Sequence, residues 1–80
     1  MDMPQEYYDF CKQFKTGVKF RINRWNIQNG ERLLHVLDNY DEDHIAIKFF
    51  GKHRQYWHYD FMDGYLLWEC DKNGWLKFVK

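Results

Sequence analysis

Apolar residues near the N-terminus recur at helical spacing. Four of them occupy positions i, i+3, i+4 and i+7: Tyr7, Phe10, Cys11 and Phe14. This spacing places the four side chains on one face of a helix. Pro4 suits a first helical turn and Gly17 suits a helix end. The pattern therefore predicts an amphipathic helix over residues 4–15.

After Gly17 the apolar residues alternate with polar ones, which is the pattern of β-strands that bury one face. Short segments with this pattern follow one another along the chain: 18–22, 33–37, 45–50, 54–62, 65–70 and 75–79. The dipeptides Asp63-Gly64 and Asn73-Gly74 favour tight hairpin turns. We therefore predict strands throughout this region, with hairpins at both dipeptides.

Short strands joined by tight turns indicate an antiparallel meander. We expect an α+β fold in a single domain over residues 1–80, with the β-rich region over 18–79. The expected closure is a small SH3-like barrel of about five strands, with the helix at one end or over one sheet face. Eighty residues are too few for a second hydrophobic core.

Aromatic residues make up 21% of the chain. A short chain needs most of its rings to build a core, so their abundance alone does not indicate a binding site. Cys11 and Cys70 lie far apart, and we interpret them as half-buried hydrophobes in a reducing, cytoplasmic setting. The N-terminus lacks the positive charge of an export signal. No apolar run approaches the ~20 residues of a membrane span, so we expect no membrane contact.

The formal net charge is +0, from 12 basic and 12 acidic residues, which argues against a general nucleic-acid binder. The charges are nevertheless arranged in blocks. Bases dominate residues 12–35 and 44–59, whereas acids dominate residues 36–43 and 60–71. These blocks predict either separate positive and negative faces or neutralisation across neighbouring strands.

The first functional hypothesis rests on the acidic segment. A solvated turn is its simplest interpretation, and it lacks the loop length and glycine position of a calcium-binding EF-hand. Carboxylates along a rim can also occupy a protein groove that normally holds phosphates, because complementary charge steers association. The residues assigned to this partner-binding rim are Asp38, Tyr40, Asp41, Glu42 and Asp43.

The alternative hypothesis rests on residues 45–59, where aromatic and basic residues interleave as they do on surfaces that bind single-stranded nucleic acid. The residues assigned to this site are Lys48, Phe50, Lys52, Arg54, Tyr56 and His58. We expect Lys48, Phe50, Tyr56 and His58 to share the outward face of a hairpin, with Trp57, Tyr59 and Phe61 on the other side of their strand. The simpler interpretation is a central hairpin whose outer bases keep it hydrated, and we rank nucleic acid second.

No catalytic pattern is present. The chain has no serine and none of the glycine-rich phosphate-binding or nucleophile motifs. Its four histidines show no metal-ligand spacing on a predicted helix. We therefore expect no enzyme activity, no metal and no cofactor.

Taken together, these patterns predict a non-catalytic protein-binding module. The expected partner is a protein, in particular a basic, nucleic-acid-handling one. Short chains without motifs are typical of phage and mobile-element proteins that occlude host defence enzymes, an association at the level of protein class. Both a monomer and a homodimer are compatible with the sequence, because an unpaired edge strand can mediate dimerisation.

Overall fold

The computed structural model describes residues 2–23, 32–50 and 56–79 of the chain. Helices and strands alternate along it in the following order: α1 (Gln5–Cys11), β1 (Lys19–Ile22), β2 (Arg32–Asp41), β3 (His44–Phe50), β4 (Trp57–Met62), α2 (Gly64–Lys72) and β5 (Leu76–Phe78). The α+β class predicted from the sequence is confirmed.

The strands form one five-stranded sheet in the order β4-β3-β2-β1-β5. All neighbouring strands are antiparallel. The first four strands follow one another as a meander, as predicted, and β5 returns to pair with β1 at the far side. The sheet is open, with β4 and β5 as its edges, so the closed SH3-like barrel that we expected is not seen.

The predicted strand over 65–70 is wrong, because these residues lie within α2. Asp63 adopts an extended conformation, and its carboxylate accepts a hydrogen bond from the backbone N–H of Tyr65 at 2.8 Å. This is an N-cap, which satisfies one of the backbone donors at the start of a helix. The Asp63-Gly64 dipeptide therefore begins a helix, and Asn73-Gly74 ends it before β5, with Gly74 at a φ of 76°.

Helix α1 is shorter than predicted, because it ends at Cys11 and not at Lys15. The following residues form turns, yet Phe14 is completely buried. Asn39 of β2 stabilises this segment, since its side-chain nitrogen donates to the carbonyl of Cys11 at 3.0 Å and to that of Phe14 at 3.1 Å. The predicted apolar stripe is thus buried, although only part of it is helical.

Both helices pack on one face of the sheet. The core combines helical residues with the alternate strand residues that point towards them: Tyr7, Phe10, Phe14, Phe20, Ile22, Leu34, Val36, Ile45, Ile47, Leu67 and Leu76. Gly64 lies at the closest approach of three segments. A Cβ atom there would lie 2.6 Å from the sulfur of Cys11 and 2.9 Å from the carbonyl oxygen of Glu42. Only glycine fits this position without displacing its neighbours.

Candidate functional site: the open face of the sheet

The second face of the sheet is not covered by either helix. Its side chains are those that alternate with the core positions along each strand. We call this surface the open face, and it carries Lys19, Arg21, Leu33, His35, Asp38, Ala46, Lys48, Phe50, Trp57, Tyr59, Phe61 and Lys77. An antiparallel sheet with one buried face is expected to present polar side chains on the other. Here, aromatic residues occupy one side of the open face and basic residues the other.

The pairing register places one set of side chains in a line across four strands. Lys19 of β1 is opposite His35 of β2, and His35 is opposite Lys48 of β3. Lys48 is in turn opposite Tyr59 of β4. Directly opposed residues have Cβ atoms about 5 Å apart. We call Lys19, His35 and Lys48 the basic row.

Trp57 is the centre of the aromatic side. The Lys48 ammonium group lies 4.5 Å from its ring centroid, within the range of a cation–π interaction. The rings of Phe50 and His35 meet its ring edge-on at 5.0 Å and 5.2 Å. These contacts fix the indole on the open face at the β4 edge of the sheet, where it remains 36% exposed.

The remaining rings of the open face are strongly exposed. The exposed fraction is 66% for Tyr59, 57% for Phe61 and 50% for Phe50. Single exposed rings are normal on a protein surface. Here Trp57, Tyr59 and Phe61 follow one another at alternate positions of β4, so the exposed rings are clustered and not scattered.

His35 has an unusual electrostatic environment. Its ring is half-buried. Burial lowers the pKa of His35 below its ordinary value, and the positive charges of Lys19 and Lys48 lower it further. His35 is therefore an uncharged imidazole between two ammonium groups at neutral pH.

The structure separates the basic–aromatic set predicted from the sequence. Lys48 and Phe50 lie on the open face, opposite Tyr59 and Trp57. His58 is instead opposite Phe49, and their rings stack at 5.3 Å on the helix side. The predicted sharing of one face by Lys48, Phe50, Tyr56 and His58 is therefore wrong.

Tyr56 accompanies His58, with ring centroids 5.4 Å apart. Lys52 and Arg54, also assigned to this site, lie outside the described residues. The expected side for Trp57, Tyr59 and Phe61 is also wrong, because a shift of one residue in strand pairing exchanges the two faces. The open face further includes Lys19, Arg21, His35 and Lys77, which are not part of the site predicted from the sequence. The alternation of basic and apolar residues along β1 is the sequence pattern that indicates the exposed position of Lys19 and Arg21.

The acidic residues assigned to the partner-binding rim lie together at one end of the molecule. They occupy the last residues of β2 and the Glu42–Asp43 turn that joins β2 to β3. The carboxylate of Asp41 accepts hydrogen bonds from the backbone N–H of Asp43 at 2.8 Å and from the ring of His44 at 3.0 Å. These bonds lower the pKa of Asp41, so this carboxylate holds the turn together.

Tyr40 connects the acidic turn to the aromatic side. Its side chain is 65% exposed, and its ring lies 6.2 Å from that of Phe61. The ring of His44 contacts Phe61 from the turn at 6.0 Å. The acidic turn and the open face are therefore adjacent, but the carboxylates are at the tip of a hairpin and not along a groove-shaped rim.

The cysteines are poorly suited to covalent chemistry. Cys11 and Cys70 are both buried and do not form a disulfide. Burial raises the pKa of the Cys11 thiol, which disfavours the reactive thiolate. Within residues 2–23, 32–50 and 56–79, no three His, Cys, Asp or Glu side chains are placed to hold a metal ion. Over the same ranges, neither helix has the length and apolar character needed to cross a membrane.

Comparison with known proteins gives no relative: no family model, curated protein or solved structure matches this chain.

Proposed function

We propose that this chain is a non-catalytic binding domain whose open face takes single-stranded nucleic acid. The observation that carries the proposal is the convergence of exposed rings and basic side chains on the sheet face that neither helix covers. Sheets that bind single strands combine rings on which bases stack with a positive surface along the backbone. Among the described residues, the acidic turn offers no comparable extended surface.

The aromatic side supplies stacking surfaces. Tyr59 and Phe61 are two residues apart on β4, so their rings are about 7 Å apart along the strand. That is roughly twice the axial rise per nucleotide of a duplex, which suits an extended chain with separated bases. Each base stacked on an aromatic ring is worth about 1–3 kcal/mol. Such stacking tolerates any base, so the proposed binding has little sequence preference.

The basic side supplies phosphate contacts. Arg21 of β1 is directly opposite Lys77 of β5, and both side chains are exposed. Directly opposed like charges destabilise a sheet. Among the described residues, the ion pair joins His44 to Asp41, and no carboxylate forms a salt bridge with Arg21 or Lys77. A bound polyanion would relieve this repulsion, which supports a ligand of that charge.

The distribution of charge also explains how a neutral chain can bind nucleic acid. The four bases of the open face are Lys19, Arg21, Lys48 and Lys77. Asp41, Glu42 and Asp43 lie at the hairpin tip, where repulsion would keep a nucleic-acid strand off the turn and on the open face. Among the described residues, the acid paired into the open face is Asp38, opposite Ala46. The net charge of the whole chain therefore does not describe the surface that a ligand meets.

The test is fluorescence anisotropy with a labelled oligonucleotide of ten thymidines, at about 20 mM and about 200 mM salt, with a duplex of the same length as the comparison. We expect micromolar binding of the single strand that weakens with salt. If all four bases neutralise phosphates, the slope of log K against log salt approaches about −2.8 for a single strand. Binding that is absent at low salt, or equally strong for the duplex, contradicts the proposal.

A protein partner is the second candidate, and the contact between Tyr40, His44 and Phe61 is the observation that favours it. Exposed rings beside carboxylates make good anchors for a basic protein surface. A free-standing inhibitor of a basic, nucleic-acid-handling enzyme would use this end of the molecule. Its test is charge reversal of Glu42 and Asp43, which leaves Asp41 to hold the turn. Loss of partner capture by this folded variant would support the second candidate.

A further inference from the structure

The basic row is distinct from the rest of the open face. Its three side chains come from three adjacent strands and are aligned by direct cross-strand pairing. The imidazole of His35 is fixed against the edge of Trp57 at 5.2 Å. The row therefore holds one imidazole between two ammonium groups on the strands to either side.

The groups opposite and diagonal to His35 on the neighbouring strands are basic or neutral. Lys19 lies opposite on β1 and Lys48 opposite on β3, while Arg21 is the diagonal neighbour on β1. Along β2, a β-bulge after Val36 brings Asp38 to the next open-face position, opposite Ala46. The Asp38 carboxylate accepts a hydrogen bond from the backbone N–H of Asn39 at 2.8 Å. No carboxylate is paired directly with Lys19, His35 or Lys48, so a ligand could supply the negative group at this row.

We propose that Lys19, His35 and Lys48 form the phosphate subsite of the open face, and that His35 makes binding stronger in acid. This inference rests on the proposed function. A phosphate diester seated on the row would lie between both ammonium groups and accept a hydrogen bond from the ring N–H of His35. The stacked base and this phosphate belong to the same nucleic-acid strand. The basic row therefore fixes the path of the sugar–phosphate backbone beside Trp57.

The linkage determines the direction of the effect. The two lysines disfavour protonation of His35 in the free protein, and a phosphate would offset their charge. Bound nucleic acid therefore raises the pKa of His35, and by reciprocity protonation of His35 strengthens binding. If binding raises the pKa of His35 by one unit, the affinity gains a factor of ten at pH values well below the pKa of His35 in the free protein.

The experiment measures binding of the ten-thymidine oligonucleotide at pH 7.5 and 5.5, at constant ionic strength. Thymine has no group that titrates in this range. His35→Gln removes the titrating group, and His58→Gln on the helix side of β4 is the matched control. We expect the natural chain and His58→Gln to bind more tightly at pH 5.5 than at pH 7.5, by up to about tenfold, whereas His35→Gln binds equally at both pH values.

Each outcome decides a different claim. Binding by the natural chain that does not change with pH, or pH dependence that persists in His35→Gln, overturns the subsite. Absence of binding at both pH values overturns the proposed function itself. If His35→Gln does not fold, the pKa of His35 in the natural chain is measured by NMR with and without the oligonucleotide. A pKa raised by the oligonucleotide supports the subsite, and an unchanged pKa overturns it.

Discussion

The ammonium group of Lys48 lies 4.5 Å from the centroid of the Trp57 ring. Lys48 is opposite Tyr59 in the register, so its side chain reaches diagonally across β4 to the indole. A second pair of the same chemistry exists on α2, where Lys72 lies 3.9 Å from the Trp68 ring. Of the two pairs, the one formed by Lys48 and Trp57 lies on the open face. The pair on α2 therefore provides a control for substitutions of the first.

Replacing Lys48 with methionine removes one charge from the open face and retains most of the side-chain volume. We expect weaker binding of the ten-thymidine oligonucleotide and a salt slope that is shallower by about 0.7, the contribution of one phosphate contact on a single strand. Lys72→Met removes the same charge on α2 and should leave both quantities unchanged. Anisotropy at several salt concentrations measures both variants, and equal losses in the two would refute a specific role for the open face.

The rings at the sheet edge should contribute more than the charges. Replacing Tyr59 and Phe61 together with alanine removes two stacking surfaces, each worth about 1–3 kcal/mol, so affinity should fall at least tenfold. Both side chains are exposed, and the fold should therefore keep its stability. Tyr65→Ala on α2, where the ring is 47% exposed, is the control. Unchanged affinity in the double variant would argue against base stacking.

Gly64→Ala tests the packing of α2. Alanine normally favours a helix over glycine by up to about 1 kcal/mol. Here the added methyl group would approach Cys11 and the backbone of Glu42 too closely. Overpacking costs about 1–3 kcal/mol, so we expect a net loss in the free energy of unfolding. Urea denaturation gives the sign directly, and a stabilised variant would mean that α2 packs differently.

The N-cap of α2 can be tested at Asp63. Replacement by alanine should cost about 0.5–2 kcal/mol, because the N–H of Tyr65 loses its acceptor. Asp63→Asn keeps a side-chain oxygen and should stay close to the natural chain. Chemical denaturation of both variants provides the comparison. If Asp63→Ala and Asp63→Asn lose the same free energy of unfolding, the carboxylate does not stabilise α2 through its hydrogen bond to Tyr65.

The fold itself should depend on pH through His35. Burial and the two flanking lysines lower the pKa of His35 in the folded state, relative to an unfolded value near 6.5. The unfolded chain therefore binds more protons as the pH falls below that value. Stability is fully present above about pH 6.5 and is lost as the pH falls towards the folded pKa. Urea midpoints at pH 7.5 and 5.5 should show a smaller change in His35→Gln than in the natural chain.

Several parts of the fold are readable from local sequence. The alternation of Phe20 and Ile22 with basic residues predicts β1 and its buried side, and that of Ile45 and Ile47 predicts β3. The apolar stripe from Tyr7 to Phe14 predicts a buried N-terminal segment. These patterns are readable because each element has one buried and one exposed face, so its period appears directly in the sequence.

The incorrect predictions concern features that the spacing of apolar residues does not determine. Asp63-Gly64 suits both a hairpin turn and a helix start, and only the packing of Gly64 against Cys11 distinguishes them. The pairing of Phe50 with Trp57 is set by the register of β3 and β4, which the strand sequences alone do not give. The open face was missed because its composition depends on that register.

The most direct test of the central claim is NMR mapping of the natural chain during titration with the ten-thymidine oligonucleotide. The account predicts that the largest chemical-shift changes occur at His35, Lys48, Trp57 and Tyr59, and that the helices change little. Changes confined to the acidic turn or the helices, or no change at all, would contradict nucleic-acid binding by the open face.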